Sequence, residues 1–540
     1  MKKRRRNPEL SSLILDKNRN VKTENGLKKT VGKLEEIFKS DSDFTVRNLT
    51  IYGEIPAVII YLNSMVDKDV INQDIAKPLM NLSTHQNKSE NEDIDNRTIE
   101  KDEESFKRSI LNKALYYTEV EKEESLANII EGILRGKTAV IVDGIKEAFL
   151  LETAKIDKRG ITEPEKEQVI RGPREGLIES LPSNIALLRK RLPVPELRLQ
   201  SFQIGELTKS KIVLSYIEGI TNKKLIKEVE RRLNQIQVDR ILDSGYVEQF
   251  IEDNPRSPFP QVQNTERPEV VAGNLLEGRV AILVDGSPAA LIVPATFNQF
   301  YQTPEDYNMR FIMATLIRWV RLLALLFSVL MPSLYVALIS FHPELIPTAF
   351  AVAVTSGRSS VPFPTVVEVL FMEAAMEILR EATIRMPKQI GSALSIVGVL
   401  VIGEAAVAAG FVSPITVVVI ALTSICSFAT PAYDMAIGFR MVRFPLLLLT
   451  GILGFYGFVL GVLLINNHLI SLKSFGVPYM TPVTPMNFGE LKDSILRAPL
   501  NAMKDRPESL LPIKKKRIKT KQLEKNNPLQ QAKRKQQEGE

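Results

Sequence analysis

Residues 322–341, LLALLFSVLMPSLYVALISF, run for twenty positions without a charge, after more than three hundred residues of mixed polarity. A helix of that length covers the ~30 Å hydrocarbon core of a bilayer. Membrane insertion is therefore the first constraint, and it divides the chain into a polar front half and an apolar back half. The overall composition, 25% charged and 44% hydrophobic, averages the two. A length of 540 residues exceeds one hydrophobic core and predicts several domains.

Soluble metalloenzyme chemistry is disfavoured. The single cysteine, Cys426, lies inside an apolar run and reads as a small buried hydrophobe. His85, His342 and His468 are scattered, with no spacing that puts two on one face, so no metal and no cofactor is expected. The start, MKKRRRNPEL, has the basic residues of a secretory signal without the apolar stretch that follows one, so the front half is expected to stay in the cytoplasm. Beyond residue 513 the chain is dense in Lys and Arg and reads as disordered. That tail either marks the positive-inside face or attracts anionic lipid; no aromatic or Gly-rich pattern accompanies it, so nucleic acid is not expected.

The front half mixes short β-rich runs with helical ones. Residues 45–51 and 55–62 read as strands, a helix-like stretch follows at 68–79, and the acidic segment 83–108 is too polar to bury anything. GKTAVIVDGIKEAFLLE (136–152) sets Asp143-Gly144 between two apolar runs, a hairpin signal that recurs in GRVAILVDGSPAALIVP (278–294) at Asp285-Gly286. VIIYLNSMVDKDVI (58–71) likewise resembles VLSYIEGITNKKLI (213–226), and two matches in one order suggest a duplicated α/β module. No phosphate loop, G-x-S-x-G or H-E-x-x-H occurs in either copy, so no enzyme is expected. Arg171, Arg174 and Glu175 form either an ion-pair cluster at a domain or subunit contact or a solvated loop.

The expected layout is a basic N-terminus (1–26), a first α/β subdomain (27–182, containing the linker 83–108), a second (183–309), a helical membrane domain (310–485) and a basic tail (486–540). Four spans are expected at about 320–341, 394–411, 413–429 and 444–466. An even count leaves both termini and the basic residues, Arg318, Arg321 and Lys473 among them, on the cytoplasmic side. Residues 364–385 read as an amphipathic helix instead of a fifth span. Glu373, Glu377, Arg380 and Glu381 share one side of it, Val367, Phe371, Ala374, Ala375 and Ile378 the other, and Glu368 falls on the apolar side. This helix either lies on the bilayer surface or, repeated in several subunits, turns its carboxylates toward an aqueous ion path. Glu404 sits mid-span among small residues, Gly403 and Gly410 included, which favours close helix or subunit contact. Glu404 is either a protonated helix partner or a second ion-path group. Pro431, Asp434, Arg440 and Arg443 read as an interfacial connector.

IRGPREG with the NIALLRKRL that follows, TERPEVVAGNLLEGRVAILVDG (265–286), PEDYN (304–308), VPFPTVVEVLFMEAAMEILREATIRMPKQIG (361–391) and GEAAVAAGFVSP (403–414) carry a specific resemblance. In family order, within about 27–485, they resemble the A subunits of GerA-type spore germinant receptors of endospore-forming bacteria. The resemblance implies the inner membrane of the dormant spore, and assembly with a transporter-like, nutrient-binding B subunit and a lipoprotein C subunit. It also implies a homo-oligomer acting as a ligand-gated channel for monovalent cations, opened by differential affinity of the nutrient for two states. The alternative is a membrane scaffold that couples the receptor to downstream events without conducting. A secondary transporter is disfavoured, because the membrane half shows no evident inverted repeat.

Overall fold

The computed structural model describes residues 13–385 and 403–517, apart from 24–25, 52–54, 82–119 and, between 156 and 170, all but 164, 167 and 169. The acidic linker, most of the expected span 394–411 and the end of the basic tail lie outside the described residues.

β-Branched and aromatic runs form two five-stranded antiparallel sheets. The first contains β1 (Phe44–Ile51), β2 (Ile55–Leu62), β3 (Val120–Glu123), β4 (Lys137–Val142) and β5 (Ala148–Glu152), in the order β1-β2-β4-β5-β3. The second contains β6 (Leu197–Ile204), β7 (Ser210–Ile217), β8 (Gln263–Thr265), β9 (Val280–Val284) and β10 (Ala290–Val293), and repeats that order as β6-β7-β9-β10-β8. The leading hairpins match in register, Phe44 opposite Leu62 and Leu197 opposite Ile217. Gly144 and Gly286 both take positive φ, +83° and +85°, a conformation that favours glycine. They open five-residue connectors, so each hairpin is longer than the two-residue turn that an Asp-Gly pair suggests.

Helices cover both faces of each sheet, which is why the central strands read as continuous apolar runs. On the first sheet, α1 (Leu27–Ile37) and α2 (Leu126–Leu134) press Val31, Leu34, Ile130 and Ile133 onto Val58, Ile60 and Leu62. The opposite face is covered by a helical stretch over 68–81, through Ile71, Ile75 and Leu79 against Ile59, Tyr61 and Phe149. On the second sheet, α3 (Leu181–Arg191) and α6 (Pro268–Glu277) cover Leu199, Val213 and Leu283. Its other face packs under α4 (Lys223–Gln235), capped by the Asn222 side chain, and α5 (Ser244–Ile251), capped by Asp243. The two units meet at a buried ion pair. Arg189 on α3 bonds Asp41 at 2.6 Å and Asp43 at 2.8 Å, both in the loop between α1 and β1.

The back half is helical: α7 (Phe311–Phe341), α8 (Thr348–Arg358), α9 (Thr365–Arg385), α10 (Pro414–Phe428) and α11 (Tyr433–Ser471). By length and apolarity α7 and α11 each suffice to cross a membrane, whereas α10, on the expected span 413–429, is a shorter apolar helix. α11 is not one rod. Gly454 has φ +62° and ψ −140°, outside the helical region, and the chain doubles back there. The Phe259 ring lies 5.1 Å from that of Phe439 and 6.0 Å from that of His468. In a straight helix those two residues would stand about 43 Å apart. On the returning leg Gly457 packs onto the Leu449 backbone of the outgoing one, too close for a Cβ, and Gly461 packs onto the tip of the Leu446 side chain. The run expected as a single span at 444–466 is therefore the tip of a helical hairpin, because glycine alone accepts the dihedrals of the turn.

This hairpin orients the other helices. Its tip touches Phe341, at the far end of α7, while its base rests on Phe259 of the α/β region. α9 runs antiparallel to the outgoing leg, with Val366 against Gly451 and Glu373 against Arg443. α10 runs parallel to α9, Thr416 meeting Glu368 and Ser427 meeting Arg380. After α11 the chain returns to the second α/β unit. Ser474 bonds Gln261 and Ala295, Phe475 enters the core under α4, and Ile513 bonds the Ile220 carbonyl.

Candidate functional site

Two clusters of buried charge lie along the path from the α/β units into the helices. The first joins them. Asp306, of the PEDYN segment, is fully buried and accepts from Arg321 at 2.6 Å and Arg318 at 3.2 Å, both from the first turns of α7. Arg318 also donates to the carbonyls of Asp493 (2.8 Å) and Ser494 (3.1 Å) in the returning C-terminal segment. Arg497 closes the ring by donating to the Asp306 carbonyl at 3.1 Å. Asp306, through its carboxylate and its backbone carbonyl, and Arg318 thus tie the α/β region, the first long apolar helix and the C-terminal segment together. The Asp493 carboxyl is pushed up to about 6, by burial first and then by Glu277, against the pull of Arg318.

The second cluster follows α9. Glu368 and Glu373 are buried, not turned to water. Glu368 pairs with Arg358 at 2.9 Å and accepts from Ser413 N and the Thr416 hydroxyl, both at 3.0 Å. Glu373 pairs with Arg443 at 2.6 Å. One turn on, Glu377 is half-exposed between Arg380 (3.2 Å) and Arg440 (3.4 Å), and Glu381 is exposed in an i,i+4 pair with Arg385. The opposite face carries Val367, Phe371 and Ile378, all exposed. The sides expected from the amphipathic pattern are thus reversed relative to a soluble helix: charge faces the helix bundle and apolar side chains face outward, the arrangement suited to lipid. Glu368, expected on the apolar side, turns inward with the other charges.

Glu404 is exposed on a short helical run over 403–408. Gly403 packs on Val417 of α10, and Gly410, at φ +69°, ends its helix against the Ser360 carbonyl, so within the chain both make intramolecular contacts. Arg171 and Glu175 make separate contacts. The Arg171 backbone meets Glu305 and Asn308, while Glu175 pairs with Lys190 and Arg191 of α3. Arg174 lies in the same exposed stretch. Asp434, Arg440 and Arg443, expected in a connector, lie within α11, where both arginines meet α9 carboxylates. Their i,i+3 spacing, set against the i,i+4 spacing of Glu373 and Glu377, was the signal available for that pairing. Asp306 had no such signal, because its partners come from three separate segments. Among the described residues no cluster of His, Cys, Asp and Glu is arranged to hold a metal.

Two α/β units, tied through the buried Asp306 cluster to a helical region with two helices long and apolar enough to cross a membrane, define a class of mixed architecture suited to membrane association. A family model described as the Bacillus/Clostridium GerA spore germination protein matches residues 32–509, and the chain belongs to that family. Spore germination protein KA of Bacillus subtilis is 43% identical over 498 residues, 92% of this chain and 88% of that one. Spore germination protein GerLA of Bacillus cereus is 38% identical over 491 residues, 91% of this chain and 96% of that one. The crystal structure of the N-terminal domain of the A subunit of the Bacillus megaterium spore germinant receptor GerK3 is 33% identical. It aligns with 51% of this chain and 97% of its own, at a TM-score of 0.38.

Proposed function

We propose that this chain is the A subunit of a nutrient-responsive germinant receptor in the spore inner membrane. Copies of it assemble with a transporter-like B subunit and a lipoprotein C subunit, and the assembly conducts monovalent cations when nutrient binds the B subunit. Family membership across most of the chain supports the receptor role. The observation that supports the conducting role is the set of carboxylates that reach the surface of the bundle: Glu377, half-exposed between two arginines, Glu381, exposed beside Arg385, and Glu404, exposed. Facing a shared aqueous path, these would concentrate cations, while Glu368 and Glu373, already neutralised by arginine, hold the bundle. Both ends of the membrane region rest on the same α/β region, which supports an even number of crossings with both termini in the cytoplasm.

The test is potassium flux from vesicles containing the reconstituted receptor. Glu377→Gln, Glu381→Gln and Glu404→Gln combined should lower cation flux about tenfold or more, with assembly intact by size-exclusion chromatography. Unchanged flux in an intact assembly would favour the second reading, a scaffold that couples nutrient binding to later steps without conducting. That reading draws on the neutralisation of Glu368 and Glu373 within the chain, which removes two carboxylates from any ion path.

A further inference from the structure

Among the described residues, the charges between α9, α10 and α11 do not balance. Three guanidinium groups, Arg380, Arg440 and Arg443, face two carboxylates, Glu373 and Glu377. All three arginine side chains are at least nine-tenths buried, at 9%, 9% and 4% exposure. Among the described residues, four of their nine nitrogens have no hydrogen-bond partner. Arg443 spends Nη1 on Glu373 at 2.6 Å and leaves Nε and Nη2 without partners. Arg380 donates Nη1 to Glu377 at 3.2 Å and Nη2 to the Ser427 hydroxyl at 3.0 Å, leaving Nε. Arg440 reaches Glu377 through its Nε at 3.4 Å, an ion-pair distance without hydrogen-bond geometry. A buried guanidinium whose N–H groups lack hydrogen bonds carries much of the cost of desolvation, so the excess of one positive charge among the described residues, with four nitrogens short of a hydrogen bond, calls for an anion.

The location narrows which anion. Ala432, in the connector between α10 and α11, bonds the Phe300 carbonyl, so this end of the bundle is the one beside the α/β region. Phe428 and Tyr433 flank the connector, are 70% and 46% exposed, and lie under Arg380 and Arg440 at 4.8 Å and 5.9 Å. Exposed aromatic rings at the end of a membrane bundle mark headgroup depth. Planar guanidinium groups match the oxygens of a phosphate in paired hydrogen bonds. We propose that Arg380, Arg440 and Arg443 form a binding site for one phosphate oxyanion, reached past Phe428 and Tyr433. At headgroup depth its natural source is an anionic phospholipid, and free phosphate is the other source of the same chemistry. The site shares Glu377 with the proposed ion path but rests on the three arginines, so it survives whether or not the assembly carries ions.

The experiment uses the full chain, purified in neutral detergent. Native mass spectrometry measures retention of phosphatidylglycerol against phosphatidylcholine, and calorimetry measures binding of inorganic phosphate. Retention of phosphatidylglycerol about tenfold above phosphatidylcholine identifies a lipid headgroup, and binding of inorganic phosphate identifies the free anion. In either case Arg440→Gln should lower binding about tenfold, while Arg440→Lys, which keeps the charge and loses the fork, should lower it less. Arg440→Lys also preserves the test if Arg440→Gln fails to fold. Arg385→Gln, an exposed arginine on the same helix, should leave binding unchanged. Retention of phosphatidylglycerol no greater than that of zwitterionic phosphatidylcholine, together with no binding of inorganic phosphate, overturns the site, as does an equal loss in Arg385→Gln, which would reduce it to surface charge.

Discussion

Glu248, on α5, is held within electrostatic reach of Asp434, at the first turn of α11, and of Glu252 and Asp243 beside it. Burial first, and then these three like charges, push its carboxyl up to about 8. A glutamate in the unfolded chain titrates near 4.3, so between that pH and about 8 folding takes up a proton. The contribution of Glu248 to stability is therefore full in acid, falls as the pH rises toward about 8, and is flat beyond. Denaturant unfolding of the wild type should show declining stability from about pH 5 to about pH 8, and Glu248→Gln should flatten that slope. Parallel curves for the two proteins would refute the assignment. Asp493, raised to about 6 by burial and Glu277, adds to the same slope in its lower part.

At the scale of elements, α11 shows most directly how one residue sets topology. Gly454→Ala would place a side chain in a left-handed, near-extended conformation and set its Cβ 2.8 Å from the Phe341 ring. The strain alone costs about 1–3 kcal/mol. The hairpin tip should open, seen as a lower unfolding temperature and new protease sensitivity around 450–458, while Gly451→Ala, within the helical leg and against only the Val366 side chain, should cost less. Equal effects of the two substitutions would show that the turn is not the strained point. This hairpin also marks a limit of the sequence. The pattern of VIIYL and VLSYI, and the two Asp-Gly turns, announced paired strands because period and turn chemistry are local. FPLLLLTGILGFYGFVLGVLLI is apolar throughout, and a uniformly apolar run carries no mark of where it bends; four glycines in it offered several places. α9 was legible in length to within a residue, yet its facing was not. Amphipathicity reveals two sides, and only the surrounding solvent decides which turns inward.

At the scale of the whole molecule, buried arginine–carboxylate pairs sit at every junction. Arg189 with Asp41 and Asp43 joins the two α/β units, Asp306 with Arg318 and Arg321 joins them to the helices, and Glu373 with Arg443 joins α9 to the hairpin. Each α/β unit has its own core on both faces of its sheet, so the units do not depend on these pairs to fold. The pairs instead fix how the bodies sit on one another, and a buried pair suits that task because it loses most of its value when misplaced. Asp306 carries the most traffic, since it meets two arginines of α7 while its carbonyl receives Arg497. Asp306→Asn keeps the shape and removes the charge, leaving two buried guanidinium groups without their carboxylate at a cost of about 3–5 kcal/mol. The loss should be confined to the joint. Amide exchange should rise across 301–321 and 493–498 and remain at wild-type levels in the two sheets. A uniform rise through the α/β units would mean that Asp306 supports their folding and not their attachment. If the joint also transmits the nutrient signal, spores carrying Asp306→Asn should hold normal receptor levels by immunoblot yet germinate more slowly in response to nutrient. Germination at the wild-type rate would limit Asp306 to an anchoring role.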